Sequence, residues 1–339
     1  MNGLPTGYST RSATLDDADR IAELINSYME AVTGRAAVTG EVLKQQMQMP
    51  DIDCEQDTRL VVAPSGEFAA FAAALHVAPH VHVHGVAPVA VAHQGLGIGS
   101  ELLVWIERRA ARAVEMAPPD ARVSLTQAMD EDEKAAIRLL EANGYRQVRH
   151  FWRMLIDLGA AGSPDEIVWP EGISVSVMQL PEDLLPALRA GRDAFRDHWG
   201  HVEGPEEEAL ERMRYRAEND PDFDPELRFL AREGSEIVGI CNVRAKDATD
   251  ETTGYIETLG VRRAWRRKGI AKALLLHAFE ACRTRGLSKV ALHVDAASLT
   301  GATRLYESAG MHVSELSHSY EKELRAGTEL ATQELTASG

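Results

Sequence analysis

Five cationic side chains, Arg262, Arg263, Arg266, Arg267 and Lys268, crowd just ahead of Gly269 in a chain whose formal net charge is -16. They follow an apolar run, Tyr255 to Val261, that reads as a buried strand. They precede the run Lys272 to Cys282, where Leu274, Leu275, Ala278 and Phe279 share one helical face. A helix opening on such a loop presents unpaired backbone N–H groups and the positive end of its macrodipole, which bind phosphate. Gly269 lets the backbone come close to a ligand, so the predicted ligand is a polyanion. Neither G-x-x-x-x-G-K-[ST] nor a strand followed by G-x-G-x-x-G is present, which sets aside the two commonest phosphate loops.

The elements around the loop narrow the reading. What stands there is Arg266-x-x-Gly269-x-Ala271, followed by a strand Lys289 to Asp295, a connection Ala296 to Thr300, and a helix ending Leu305-Tyr-Glu-Ser-Ala-Gly310-Met311. This order resembles the GNAT N-acetyltransferase superfamily, with its [Q/R]-x-x-G-x-[G/A] loop and its helix ending L-Y-x-x-x-G-F. The resemblance implies that Arg266, Arg267, Lys268, Gly269, Ile270 and Ala271 hold the pyrophosphate of acetyl-coenzyme A. It implies also that the backbone at Leu259 and Val261 faces the same cosubstrate. Ser298 sits where the family usually has Asn; it can cap the helix, but the amide contact does not carry over.

The theme occurs twice. Gln94-Gly-Leu-Gly97-Ile-Gly99 repeats the signature ahead of an amphipathic helix from Ser100, and Leu139-Leu-Glu-Ala-Asn-Gly144-Tyr145 repeats the helix end. The offsets agree closely, 269 − 97 = 172 and 310 − 144 = 166. The expected fold is α/β: two tandem GNAT domains, each a mixed, mostly antiparallel central sheet flanked by helices. The expected boundaries are 8–158 for the first domain, 159–170 for a Gly-, Ala-, Ser- and Pro-rich linker, 171–325 for the second, and 326–339 for a polar, disordered tail. Leu140 stands where the second copy has Tyr306, and the first loop lacks the cations, so the first domain is expected to be degenerate. Gln94, Gly97 and Gly99 nonetheless remain candidates for holding coenzyme A.

Composition bounds the rest. At 339 residues and 45% hydrophobic content the chain is long enough for two folded domains. No run approaches the roughly 20 apolar residues of a membrane span, and the first residues lack a basic region followed by an apolar one, so a cytoplasmic protein is expected. The acidic balance excludes nonspecific nucleic-acid binding, which needs a broad basic surface. Cys54, Cys241 and Cys282 lie far apart and read as small core residues. His80, His82 and His84 alternate on one strand face, but nothing completes a zinc set at a recognisable spacing, so no metal is expected.

Between residues 195 and 225 lies Phe195-Arg-Asp-His-Trp-Gly200, an acidic helix from Glu206, and Glu218-Asn-Asp-Pro-Asp-Phe-Asp-Pro225. With the tandem arrangement this looks like the mycothiol synthase-like branch of the superfamily. The resemblance makes Asp193, Asp197, His198 and Trp199 candidates for holding an amine substrate. It implies direct acetyl transfer from acetyl-coenzyme A to a primary amine of a small molecule or peptide, with chemistry in the second domain. Such transfer needs a neutral amine, donors for the carbonyl oxygen and a proton for the leaving thiolate. Glu257, inside the strand beside the cofactor loop, is the candidate base. Tyr306 looks like the family's general acid. A non-catalytic acyl-coenzyme A sensor and a scaffold protein stand as alternatives.

Overall fold

The computed structural model describes residues 3–159, 167–298 and 301–333. A short strand, β1 (Ser9–Arg11), leads to α1 (Ala18–Thr33). Its approach is fixed by Thr14, whose backbone N–H and hydroxyl both donate to the Asp17 carboxylate at 2.8 Å. Helices α2 (Gly40–Met47) and α3 (Cys54–Asp57) occupy a stretch that reads in sequence only as polar. Next come β2 (Thr58–Val62), β3 (Phe68–His76), β4 (His82–Val86) and the long helix α4 (Ile98–Met116). Strand β5 (Val123–Asp130), helix α5 (Lys134–Ala142) and strand β6 (Arg146–Asp157) follow.

The second half repeats this order. It runs β7 (Ile173–Val177), α6 (Leu184–Phe195), α7 (Glu206–Asn219), β8 (Arg228–Glu233), β9 (Glu236–Arg244) and β10 (Thr253–Val261). Then come α8 (Ile270–Thr284), β11 (Lys289–Asp295), α9 (Ala302–Ser308) and β12 (His312–Arg325).

Two compact units result, but they cut the chain elsewhere than the repeat does: Met1–His150 with Ser317–Leu330, and Phe151–Leu316 with Ala331–Gly339. The expected boundaries at 158 and 171 follow the repeat, and residues 160–166 of the expected linker lie outside the described residues. In the first unit the sheet order is β1-β2-β3-β4-β5-β12. Only β4 and β5 run parallel in it. In the second unit the order is β6-β11-β10-β9-β8-β7, with β10 and β11 the parallel pair. Each sheet is therefore finished by a strand from the other repeat.

The second unit carries the site. Its inner strands β8 and β9 are buried on both faces, as a sheet covered on both sides requires. On one face α8 seats Leu274, Leu275, Ala278 and Phe279 among Phe229, Val238, Cys241 and Val243. On the other, α6 seats Leu184, Ala187 and Ala190 against Leu230, Ile237 and Ile240. Strands β10 and β11 pair only from Thr253–Ile256 to Lys289–Leu292, and beyond that point they part. The register of β10 against β9 also slips between Ile256 and Thr258, making Glu257 a bulge residue at the head of the opening.

Part of the expected tail, up to residue 333, makes backbone contacts. Thr328 is held by backbone hydrogen bonds with Asp120 and Arg122, and Thr332 exchanges others with Gly200 and His201. Residues 334–339 lie outside the described residues.

Candidate functional site

The loop between β10 and α8 has a backbone that its sequence shows only in part. Arg266 is extended, Arg267 sits in the left-handed region at φ 61°, and Gly269 caps α8 at φ 90°. A non-glycine residue held left-handed costs about 1 kcal/mol, so the loop is shaped by more than local preference. Alternating left-handed residues turn successive N–H groups to one side, forming a concave anion nest continuous with the first turn of α8. The first unit has the same backbone: Gln94 extended, Gly95 at φ 74° and Gly97 at φ 81°. There glycine relieves the strain that Arg267 carries.

Of the cations, Arg266 does not reach outward. Its guanidinium donates to both Asp197 carboxylate oxygens at 2.5 and 2.7 Å and to the Ala194 carbonyl at 2.8 Å, while its Nε donates to the Val261 carbonyl at 3.1 Å. It staples the loop to the end of α6. Arg262 pairs with Asp193 at 2.8 Å and with Glu236. Lys268 is exposed, 6.0 Å from the Trp265 ring. Arg267 has no side-chain partner among the described residues and lines the cavity below.

That cavity, about 760 Å³, fills the opening between β10 and β11. One wall is β10 from Glu257 through Leu259 to Val261. The floor is the loop and helix start, with Arg266, Gly269, Ile270 and Ala271. Opposite stand Ser298 on the connection after β11 and Tyr306 on α9, and Asp197 and His198 close the end beneath α6. Residues from four separate stretches of sequence thus meet at one opening.

Tyr306 is 7% exposed, and its hydroxyl has no hydrogen-bond partner among the described residues. Burial, with nearby Cys241, pushes its hydroxyl well above the usual tyrosine range. It is therefore a protonated donor throughout the physiological range. Glu257 differs. Its carboxylate accepts from Arg244 Nε at 2.6 Å and, on the other oxygen, from Arg228. Desolvation would raise this carboxyl, but Arg228 and Arg244 together hold it below the ordinary value. Arg244 is itself paired to Asp220 and Asp222. An ionised carboxylate clamped on both oxygens is a poor proton acceptor and a good anchor for two arginines. Neither arginine stood out in sequence: Arg244 lies on β9, beside the strand of Glu257, and Arg228 one strand farther, on β8.

The remaining candidates disperse. Trp199 donates from its indole to Gln333 at 3.1 Å and, like Asp193 and Lys268, is absent from the cavity wall. Ser298 does not cap α9; Gly301 does, in the left-handed conformation at φ 74°. Gln94 is exposed and donates to the Val89 carbonyl at 3.1 Å, and with Gly97 and Gly99 it belongs to the other unit. The three histidines do not share a strand face. His80 precedes β4 at φ 63° and meets His76, while His82 and His84 bond Ser124 and Thr126. Cys241 and Cys282 are buried as expected, whereas Cys54 is only half-buried.

Sequence reasoning also missed Gly260. A Cβ there would stand 2.7 Å from Phe195 Cε2 and 3.1 Å from Ala194 Cβ. Only glycine lets the end of α6 settle onto the parted strand, which brings Asp197 and His198 over the cavity. A glycine near the end of a strand was the available signal.

A mixed sheet parted above an anion-binding loop, with a buried tyrosine facing it, is the architecture of GNAT N-acetyltransferases. The comparisons agree: the profile of the Acetyltransferase (GNAT) family matches residues 191–311. A mycothiol acetyltransferase of Thermobispora bispora is 34% identical over 184 residues, 53% of this chain and 59% of that one. One from Thermomonospora curvata is 30% identical over 234 residues, 67% of this chain and 75% of that one. The chain thus spans little more than half of the first of these relatives. The crystal structure of a GCN5-related N-acetyltransferase from Sphaerobacter thermophilus is 34% identical, covering 97% of this chain and 100% of that one at a TM-score of 0.79. A tandem GNAT protein from the clavulanic acid biosynthesis pathway shares the fold at 14% identity and a TM-score of 0.69, covering 95% of this chain and 100% of that one. The chain belongs to the acetyltransferase (GNAT) family and resembles its mycothiol synthase branch. Among the described residues, no helix is long and apolar enough to cross a membrane.

Proposed function

We propose that the chain transfers an acetyl group from acetyl-coenzyme A directly to a primary amine of a small molecule, with the chemistry in the second unit. One observation carries the reading: the anion nest at 266–271 and the Tyr306 side chain open onto the same cavity, where β10 and β11 part. The nest and Arg267 suit a pyrophosphate, and the parted edge of β10 leaves backbone donors at Leu259 to Val261 for the thioester oxygen. Tyr306 supplies the proton that the leaving thiolate needs. The relatives named for mycothiol acetylation support a small acceptor, and the cysteinyl amine of a pseudodisaccharide belongs in the first panel.

The test is thiol release from acetyl-coenzyme A across cysteinyl glycosides, aminoglycosides, polyamines, amino acids and N-terminal peptides. The expected result is turnover on one acceptor class. Tight acetyl-coenzyme A binding with no turnover on any of them would sink the enzymatic reading in favour of a sensor.

A further inference from the structure

Resting on that acetyltransferase reading, we infer that His198 is the proton acceptor for the attacking amine, in place of Glu257. The placement is built from several contacts. Gly260 admits Phe195 onto β10, and the Phe195 ring stands edge-on to the His198 ring at 4.6 Å between centroids. Asp197, the preceding residue, is gripped on both oxygens by Arg266 of the anion loop. The His198 backbone N–H donates to the Phe195 carbonyl at 2.9 Å. The imidazole is thereby fixed at the cavity wall, with no hydrogen-bond partner of its own among the described residues.

Its surroundings keep it neutral. Burial lowers its pKa below the ordinary histidine value; Asp197 and Asp295 oppose that, while Arg266 and His201 add to it. A neutral imidazole is the form that can accept a proton at pH 7. Glu257, with both oxygens held by arginines, offers no comparable lone pair.

The step balances as follows. The neutral amine's lone pair forms the C–N bond to the thioester carbon, and the nitrogen passes one proton to the His198 imidazole. The C–S bond breaks, its electron pair leaves on sulfur, and the sulfur takes the Tyr306 proton. Imidazolium and phenolate then return to their starting states by exchanging one proton through solvent. An acceptor that enters as ammonium first releases one further proton to water.

The experiment follows thiol release with the panel amine that the wild type turns over. His198→Gln is expected to lower kcat/KM for the amine about 100-fold or more at pH 7, within the range of general-base contributions. The acid limb of its pH profile, expressed per neutral amine, should disappear, and acetyl-coenzyme A should bind within twofold of wild type by calorimetry. Added imidazole should restore part of the rate to His198→Ala, since it supplies the missing proton acceptor from solution. Retention of the acid limb in His198→Gln overturns the inference, as does an imidazole that titrates at or above the free-histidine value by NMR. No rescue of His198→Ala by imidazole overturns it too, leaving His198 a packing residue. Failure of the acetyltransferase reading itself would show differently, as a wild type that turns over no amine of the panel.

Discussion

Asp197 and Arg266, 69 positions apart, meet in a two-point ion pair at 2.5 and 2.7 Å that fastens the anion loop to the end of α6. The Asp197 side chain is 10% exposed and Arg266 22%, so the pair is half-sheltered and solvent screening limits its net worth to about 1–2 kcal/mol. Its larger effect is positional. With Asp197→Asn the bidentate grip is lost, and the KM for acetyl-coenzyme A is expected to rise about tenfold, equivalent to about 1.4 kcal/mol. The hydrogen bonds from Arg266 hold the Asp197 carboxyl below its ordinary pKa against its desolvation. A depressed carboxylate stabilises the fold above its unfolded pKa, about 3.9, and that contribution is lost as pH falls through the lower folded value. Melts of wild type and Asp197→Asn should therefore differ most above about pH 4 and converge only as pH falls through the lowered folded value.

Tyr306→Phe removes a hydroxyl and keeps the ring that fills its place beside Met311 and Leu305 in the core. Its kcat is expected to fall about 100-fold or more, while the acetyl-coenzyme A Kd and the melting temperature stay close to wild type. Because burial raises the tyrosine pKa, the wild-type rate should show no alkaline loss from this group below pH 10. Unchanged kcat in the variant would remove Tyr306 from the chemistry.

Glu257→Gln separates an anchor from a base. Gln can accept from one arginine but leaves the charge of Arg228, whose side chain is 5% exposed, unmatched, while Arg244 keeps Asp220 and Asp222. The expected result is a loss of about 1–2 kcal/mol in stability, with the acid limb of the rate profile where the wild type has it. The carboxylate's pKa is lowered, so the difference in stability should be full at pH 7 and vanish as pH falls through the folded value. A vanished acid limb at unchanged stability would restore Glu257 as the proton acceptor.

Much of this was legible in the residues. The spacing Arg266-x-x-Gly269-x-Ala271 marks the loop, and a strand to Val261 and a helix over Lys272–Cys282, which in the structure begins at Ile270, follow from periodicity. What spacing cannot give is where a long side chain ends. Arg266 turns back to Asp197 instead of reaching the ligand, Ser298 stops short of the helix it was expected to cap, and Arg228 and Arg244 close on Glu257 from strands paired only after folding. Strand exchange was equally hidden. Alternation shows which residues of a strand face the core, but not which neighbour the strand pairs with.

The exchange itself makes the last prediction. Phe151 pairs with Asp295 and Ile156 with Val290 in the second unit, while Ser317 pairs with Asp130 and Lys322 with Leu125 in the first. The two strands are thus in equivalent register, 317 − 151 = 166 and 322 − 156 = 166. They are not interchangeable in chemistry. Met154, Ile156 and Leu158 are at most 5% exposed, and burying three such side chains is worth about 5–9 kcal/mol, comparable with the whole stability of a domain. Lys322, the counterpart of Ile156, instead pairs with Glu107 at 2.8 Å in the first unit. In Ile156's place it would be buried away from that partner, at a cost of several kcal/mol. A fragment 171–325, cut along the repeat, is therefore expected to show no cooperative melt, whereas 151–316, cut along the compact unit, melts cooperatively and binds acetyl-coenzyme A. Lys322→Ile should partly restore folding to 171–325, since it lets the repeat's own last strand lie against β11. A cooperative melt of unmodified 171–325 would show instead that the edge of β11 tolerates either strand.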